Sequence, residues 1–225
     1  MEWKKPGADR LLKKKNPKPK QQHKMVEISP ISKIGIDNDD VLFQFNEALF
    51  SFHNRIYGTS ITLEEITTFT LSEIWKCSEE EEKERVFGFY NSEDIRKMPP
   101  HDGAVETVRR LAAQHDLLVI TSRPRFILAS TTQHVELHFP GIFIDVVTTN
   151  AYARDGLKRT KSEICLELGI ATIVDDSLSN VRDCAQNGIR ALLFRRPWNA
   201  SVPDQALTEE GIIPVSSWHE VPEKI

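Results

Sequence analysis

Lys33-Ile34-Gly35-Ile36-Asp37-Asn38-Asp39-Asp40-Val41-Leu42 decides how this chain reads. A short apolar run ends abruptly in three acids within four residues. The run suits a strand buried on both faces, and the acids mark where the chain leaves the sheet. In open α/β sheets, ligands collect beyond the carboxyl ends of the strands. Carboxylates two positions apart can converge there, and their repulsion asks for a counter-charge. A divalent cation offers one, and an all-oxygen ligand set with few carboxylates suits Mg2+. A plain acidic loop has the same appearance, so the remainder of the chain must decide.

Four more apolar runs follow, at Leu117–Thr121, Phe143–Thr148, Ala171–Val174 and Arg190–Phe194. Amphipathic stretches separate them, which is the βαβ alternation of a parallel sheet. Gly103–Gln114 is expected to be helical with Asp102 as its cap, Lys161–Leu168 to stop at Gly169, and Leu178–Gln186 to run into Asn187-Gly188. The fold class is therefore α/β, a three-layer Rossmann-like parallel sheet. Residues 45–98 break the alternation, with three or four helical stretches and no convincing strand. Thr62-x-x-Glu65 and Ser78-x-x-Glu81 are capping-box signatures, and Pro99-Pro100 closes the segment. These residues are read as a small helical cap inserted after the first strand. Residues 29–44 and 99–225 are then the α/β core, and residues 1–28 a basic arm.

A second acidic pair, Asp175-Asp176, ends the run Ala171–Val174. Between the two acidic sites, Thr121-Ser122-Arg123 follows Leu117–Ile120 and brings a hydroxyl and backbone N–H groups to the same edge. Lys161 adds a cation at a helix start, with Lys158 as its competitor. Acids, hydroxyl, cation and acids, each at a strand end or helix start, suit a phosphate held beside Mg2+. Other residues read more plainly. Trp198 beside Pro197 reads as a packing anchor, with the site entrance as the alternative. Phe43, Phe45 and Phe50 read as core, with Phe45 also able to face a substrate. Glu79–Glu82 reads as a solvated helix face, and the seven histidines show no ligand spacing.

The hydrophobic share of 40% and charged share of 28% are those of a globular chain, and 225 residues can bury a sizeable core. No apolar run approaches the roughly 18 residues of a membrane span, and no apolar secretory leader is visible. Three scattered cysteines, Cys77, Cys165 and Cys184, point to a reducing, cytoplasmic setting and to no cysteine-built metal site. Residues 1–24 hold nine Lys and Arg against Glu2 and Asp9, a balance of +7, so the net charge of −4 leaves −11 for the rest. The arm reads as a solvated extension; the alternatives are contact with nucleic acid or another anionic partner, or a nuclear address. Oligomeric state has no signature in the sequence.

The four stretches together resemble the motifs of the haloacid-dehalogenase superfamily. Asp37-Asn38-Asp39-Asp40-Val41 is similar to its first motif, D-x-D-x-[VT], and Ile120–Pro124 to its second. Lys161–Cys165 and Ile173–Ser177 are similar to the third and fourth. The resemblance spans about residues 33–200, and the inserted helices look like a C1-type cap of the 5′(3′)-deoxyribonucleotidase-like branch. It implies a Mg2+-dependent phosphomonoester hydrolase acting on a small phosphorylated metabolite or nucleotide. Asp37 would be the nucleophile, Asp39 the general acid and base, and Thr121 and Lys161 would hold and neutralise the phosphoryl group. Ser122 and Arg123 would lie beside the substrate. The metal would sit on Asp37, the Asp39 main-chain carbonyl and Asp176, with Asp175 close by. Two positions depart from the family pattern: Asn38 stands where an apolar residue is usual, and Asp40 where glycine is common. A binding or regulatory protein on this scaffold, and a phosphomutase, are the competing readings.

Overall fold

The computed structural model describes residues 1–3, 32–66 and 70–225; the expected basic arm, apart from its first three residues, lies outside them. Six strands form one parallel sheet in the order β3-β2-β1-β4-β5-β6. These are β1 (Lys33–Ile36), β2 (Asp116–Thr121), β3 (Phe143–Thr148), β4 (Ile170–Asp175), β5 (Arg190–Phe194) and β6 (Ile212–Val215). β1 lies between β2 and β4, so Asp37 leaves the centre of the sheet. Five of the strands match the apolar runs. The sixth, Ile-Ile-Pro-Val, escaped the reading because a proline argues against a strand. It is tolerated here because, among the described strands, β6 lies at the edge and pairs only with β5, with Pro214 opposite Leu193.

Alternation within the strands builds two cores, one on each face. Leu117 and Val119 of β2, with Leu192 and Phe194 of β5, enter one core; Leu118, Ile120, Ala191 and Leu193 enter the other. The first core takes its helical cover from α1 (Phe45–Tyr57), α2 (Leu71–Trp75), α3 (Glu79–Tyr90), α4 (Ala104–Ala112), α5 (Leu128–His138) and the C-terminal turn Val221–Lys224. The second is covered by α6 (Lys161–Leu168), α7 (Leu178–Gln186) and α8 (Asp204–Glu209). Helices on both faces of a parallel sheet complete the three layers. None of the described helices is long and apolar enough to cross a membrane.

Helix ends follow local chemistry, with one correction. Thr160 and Glu163 close a capping box on α6, a signal not picked out of the sequence, and Gly169 ends the helix at φ 68°. Asp102 does not cap α4. Gly103 occupies the cap position at φ 76° and makes no side-chain bond, so the helix begins one residue later than expected. The left-handed turn is what glycine permits there.

Between Phe43 and Pro100 lie α1, α2 and α3, with 3-10 turns at Leu63–Glu65 and Asp94–Lys97, and α4 follows before β2. The segment's two ends run side by side. Phe43 bridges Pro100 antiparallel, Gln44 N donates to Pro99 O at 3.1 Å, and His101 N to Leu42 O at 2.8 Å. Trp218, fully buried, pins the loop after β1 through Nε1 to the Val41 carbonyl at 3.0 Å. Trp218→Phe keeps an aromatic side chain but loses the second ring of the indole and orphans that buried carbonyl. Urea denaturation should show a loss of about 1–3 kcal/mol, and an unchanged midpoint would show that the bond carries no net stability.

Candidate active site

The loop after β1 is wound tightly. Asp37 N continues the ladder to Val174 O at 2.9 Å, Phe43 N donates to Asn38 O at 3.0 Å, and Asp40 N to Phe43 O at 2.8 Å. Asp40 takes φ 58°, a left-handed conformation in which glycine is at home and aspartate is tolerated. Its carboxylate earns the position by accepting the Asn46 amide at 3.0 Å in the first turn of α1. Arg196 Nε donates to the Asp40 carbonyl at 2.7 Å and so ties the loop to the segment after β5.

Asp37 and Asp175, at the ends of neighbouring strands, share one cation. Lys161 Nζ lies 2.5 Å from Asp37 Oδ1 and 2.5 Å from Asp175 Oδ2, with only 2% of the lysine side chain exposed. Lys158 is exposed, so of the two lysines it is Lys161, set by the capped start of α6, that reaches the acids. Asp175 also accepts from Ser177 N at 2.8 Å and from Asn180 Nδ2. Asp176 accepts from Trp198 Nε1 at 2.9 Å, while its main-chain carbonyl accepts from Asn199 Nδ2 at 2.9 Å. Trp198 is thus more than packing, because it aims a carboxylate. Nothing in its neighbourhood of sequence pointed to a partner 22 residues away.

One oxygen each from Asp37, Asp175 and Asp176 can lie within 4.8 Å of the others. Burial raises Asp37 to about 7 against the pull of Lys161, with the charges on Asp175 and Asp39 adding to the rise. Burial and the charge of Asp175 push Asp176 well up too, and burial lifts Asp40 to about 8. Lys161 is raised as well, for a different reason: burial opposes its charge, but Asp175 and Asp37 hold its proton above the ordinary lysine range. Too many buried carboxylates share too few cations. An all-oxygen cluster of that kind fits a hard divalent ion.

The other expected residues stand at the same edge. Thr121, buried at the end of β2, accepts from Arg123 N at 3.3 Å. Ser122 lines the cleft, and its carbonyl accepts from Tyr152 N at 3.1 Å. Arg123, expected beside the substrate, pairs with Asp39 through Nε at 2.9 Å and Nη2 at 2.7 Å. Asp39 stands outside the three-carboxylate cluster but lines the same cleft.

That cleft measures about 330 Å³, within the usual range for a small-molecule site. Its floor is the acidic loop and its roof is apolar, drawn from Phe45, Ile66, Leu71, Val86 and Tyr90. Phe45 does face the cleft, while Phe43 and Phe50 belong to the core. Glu82 is not part of a solvated face. It accepts from Ser72 N at 2.8 Å and from the Tyr152 hydroxyl at 3.0 Å, linking α3 to the loop before α6.

The sequence pattern of the family described as 5′ nucleotidase, deoxy (pyrimidine), cytosolic type C protein matches residues 30–225. No curated protein matches the chain. Among solved structures, a haloacid dehalogenase-like family hydrolase from Streptococcus pneumoniae is 14% identical with a TM-score of 0.63, covering 86% of this chain and 97% of its own. A protein from Clostridium acetobutylicum described as a predicted phosphatase is 16% identical with a TM-score of 0.63, over 87% and 98%. The HAD-type protein YfnB from Bacillus subtilis, solved bound to magnesium, is 15% identical with a TM-score of 0.54, over 86% and 97%. At these identities the likeness establishes the fold.

The strained charge balance has a pH signature in metal-free protein. Folded Asp37 and Asp40 keep protons up to about 7 and 8, whereas unfolded carboxyls release theirs near 3.8. The folded state therefore binds more protons in that window, and stability falls as pH rises through it. Below about pH 7.5 unfolded imidazoles still bind protons that folded His53, His101 and His134, held low by burial, do not, so they oppose the trend there; above it they are neutral in both states. In EDTA, the urea midpoint should drop as pH rises from about 7.5 through about 8, where Asp40 gives up its proton, and Asp40→Asn should flatten the slope. A flat or rising midpoint in the unsubstituted chain would refute this.

Proposed function

The chain belongs to the family described as 5′ nucleotidase, deoxy (pyrimidine), cytosolic type C protein, and from that membership we propose a Mg2+-dependent phosphatase that forms an aspartyl-phosphate on Asp37. Its substrate is a small phosphomonoester, a (deoxy)nucleotide or a metabolite of similar size. The observation that carries this reading is the meeting of Asp37, Lys161, Asp175 and Asp176 at the floor of a cleft that also receives Asp39.

Lys161 holds Asp37 Oδ1, so Oδ2 is the oxygen we assign to attack on phosphorus. As the new P–O bond forms, the bond to the leaving oxygen breaks, and Asp39 gives that oxygen its proton. A water then loses a proton to Asp39 and attacks the aspartyl-phosphate, returning Asp37 as a carboxylate and releasing inorganic phosphate. Thr121 accepts the Arg123 amide, which leaves the hydroxyl's own proton to be donated to a phosphoryl oxygen. The ammonium of Lys161, anchored on both acids, offsets charge that builds on the transferring group.

The fit of the acidic cluster supports Mg2+ on Asp37, Asp176 and the Asp39 carbonyl, with Asp175 beside it; a magnesium-bound relative of the same fold is consistent with that choice. When bound, such an ion supplies charge neutralisation and alignment for the phosphoryl group. We assign residues 45–98 the role of a C1-type cap, because Phe45, Ile66, Leu71, Val86 and Tyr90 roof the cleft from that segment. A cap this small favours a small substrate that can be shut away from water. The wording of the family description and the unpaired thiols of Cys77, Cys165 and Cys184 support a cytoplasmic setting.

Purified protein with Mg2+ should release inorganic phosphate from p-nitrophenyl phosphate and from members of a nucleoside monophosphate panel, and EDTA should stop it. Asp37→Asn should abolish turnover and the phosphoenzyme trapped by acid quench. Asp39→Asn should still capture phosphate but free it slowly. Turnover that survives Asp37→Asn would reject the mechanism; phosphate passed to a second organic substrate instead of water would mark a mutase. Absence of turnover above the Asp37→Asn control would favour a binding protein.

Trp198→Phe removes the indole donor from Asp176 and should raise the Mg2+ concentration for half-maximal rate about 10-fold or more. An unchanged requirement would take Asp176 out of the metal site.

A further inference from the structure

Asp39 is held by three donors, and their distribution over its two oxygens is uneven. Among the described residues, Oδ1 accepts from Asn38 Nδ2 at 2.9 Å and from Arg123 Nη2 at 2.7 Å, while Oδ2 accepts only from Arg123 Nε at 2.9 Å. Each carboxylate oxygen offers about two lone-pair sites. Oδ1 is therefore saturated, and Oδ2 keeps one site for a proton.

Arg123 is itself immobilised. Nη1 donates to Thr131 Oγ1 at 3.1 Å, and that hydroxyl passes its own proton to Ile127 O at 3.0 Å. The Thr148 hydroxyl donates to the Arg123 carbonyl. The guanidinium carbon lies 5.7 Å from the Phe45 ring centre and 5.8 Å from that of Tyr90, and the side chain is 2% exposed. Nε, Nη1 and Nη2 each have a partner within the protein. An arginine committed in this way is poorly placed to take a phosphate as well, and well placed to hold a rotamer.

We propose that Arg123, assisted by Asn38, is a positioning residue that fixes the Asp39 carboxylate with Oδ2 as the oxygen that exchanges the proton. The assignment rests on the phosphatase reading above. It also gives a purpose to Asn38, the polar residue at a position where the family pattern expects an apolar one. In the first step the Oδ2 proton moves to the leaving oxygen as its bond to phosphorus breaks; in the second, Oδ2 takes a proton from the attacking water. Arg123 exchanges no proton in either step.

Esters that differ in their need for that proton test the assignment. Benzyl phosphate leaves as an alkoxide and requires protonation, whereas p-nitrophenyl phosphate leaves as a stable anion. Because kcat/KM reports steps only up to departure of the leaving group, the second half-reaction does not blur the comparison. Arg123→Met should lower kcat/KM for benzyl phosphate about 100-fold and for p-nitrophenyl phosphate about 10-fold less than that. In an Asp39→Asn background the same substitution should cause no further loss. Equal losses for the two esters, or losses that add to those of Asp39→Asn, would overturn the proposal and return Arg123 to a phosphate contact or a purely structural part. Thermal melts check folding. If Arg123→Met does not melt as a native protein, Arg123→Lys keeps the charge without the two-pronged bond and is expected to show the same ester dependence. Wild-type protein inert toward both esters would overturn the phosphatase reading, and the positioning role with it.

Discussion

Lys161 sits between two carboxylates that the sheet would otherwise force together unpaired. Asp37 and Asp175 end adjacent parallel strands, so their separation is set by the ladder between β1 and β4 and cannot relax by moving one strand. Burying two like charges side by side is unfavourable, and a single well-placed ammonium turns the repulsion into a hydrogen-bonded triad. The capping box of Thr160 and Glu163 fixes where α6 starts, and the start of α6 fixes Lys161. A backbone detail at a helix end thereby controls the charge state at the centre of the sheet.

The same logic governs the acids around that triad. Asp176 is aimed by Trp198, Asp39 by Arg123 and Asn38, and Asp40 is spent on the first turn of α1. Each carboxylate has a different partner, so each is left with a different chemistry. Among the described residues, Asp37 is held through one oxygen by a cation, Asp176 has one neutral donor, and Asp40 serves as a cap. On the proposed mechanism these distinctions would separate nucleophile, acid and ligand among residues that are chemically identical in the chain.

Above this floor the cleft changes character. Apolar side chains from the helices between β1 and β2 form its roof, and the two ends of that segment are clasped at Phe43 and Pro100. Tyr152 and Glu82 join roof to floor through a hydrogen bond, and Tyr152 also meets Phe87 and Tyr90 edge-on. A polar end for a phosphate and an apolar end for the rest of a small ester follow from this division of labour.

Much of this was legible along the chain. Apolar runs broken by acids located β1 and β4 and their carboxyl ends, because a parallel strand buried on both faces must be apolar until it leaves the sheet. The same rule singled out Asp37, Asp39, Thr121, Asp175 and Asp176. Lys161 and Lys158 could not be separated by spacing, and only the capped start of α6 chose between them. β6 stayed hidden because its proline is acceptable solely at a sheet edge, and an edge exists only once the strands are ordered. Arg123 and Asp39 stand 84 positions apart, and no local pattern records that one will grip the other. Strands and helix ends obey short-range periodicity and capping, which a sequence displays directly. Partnerships among buried charges depend on which distant side chains share a low-dielectric volume, and that is decided only when the sheet closes.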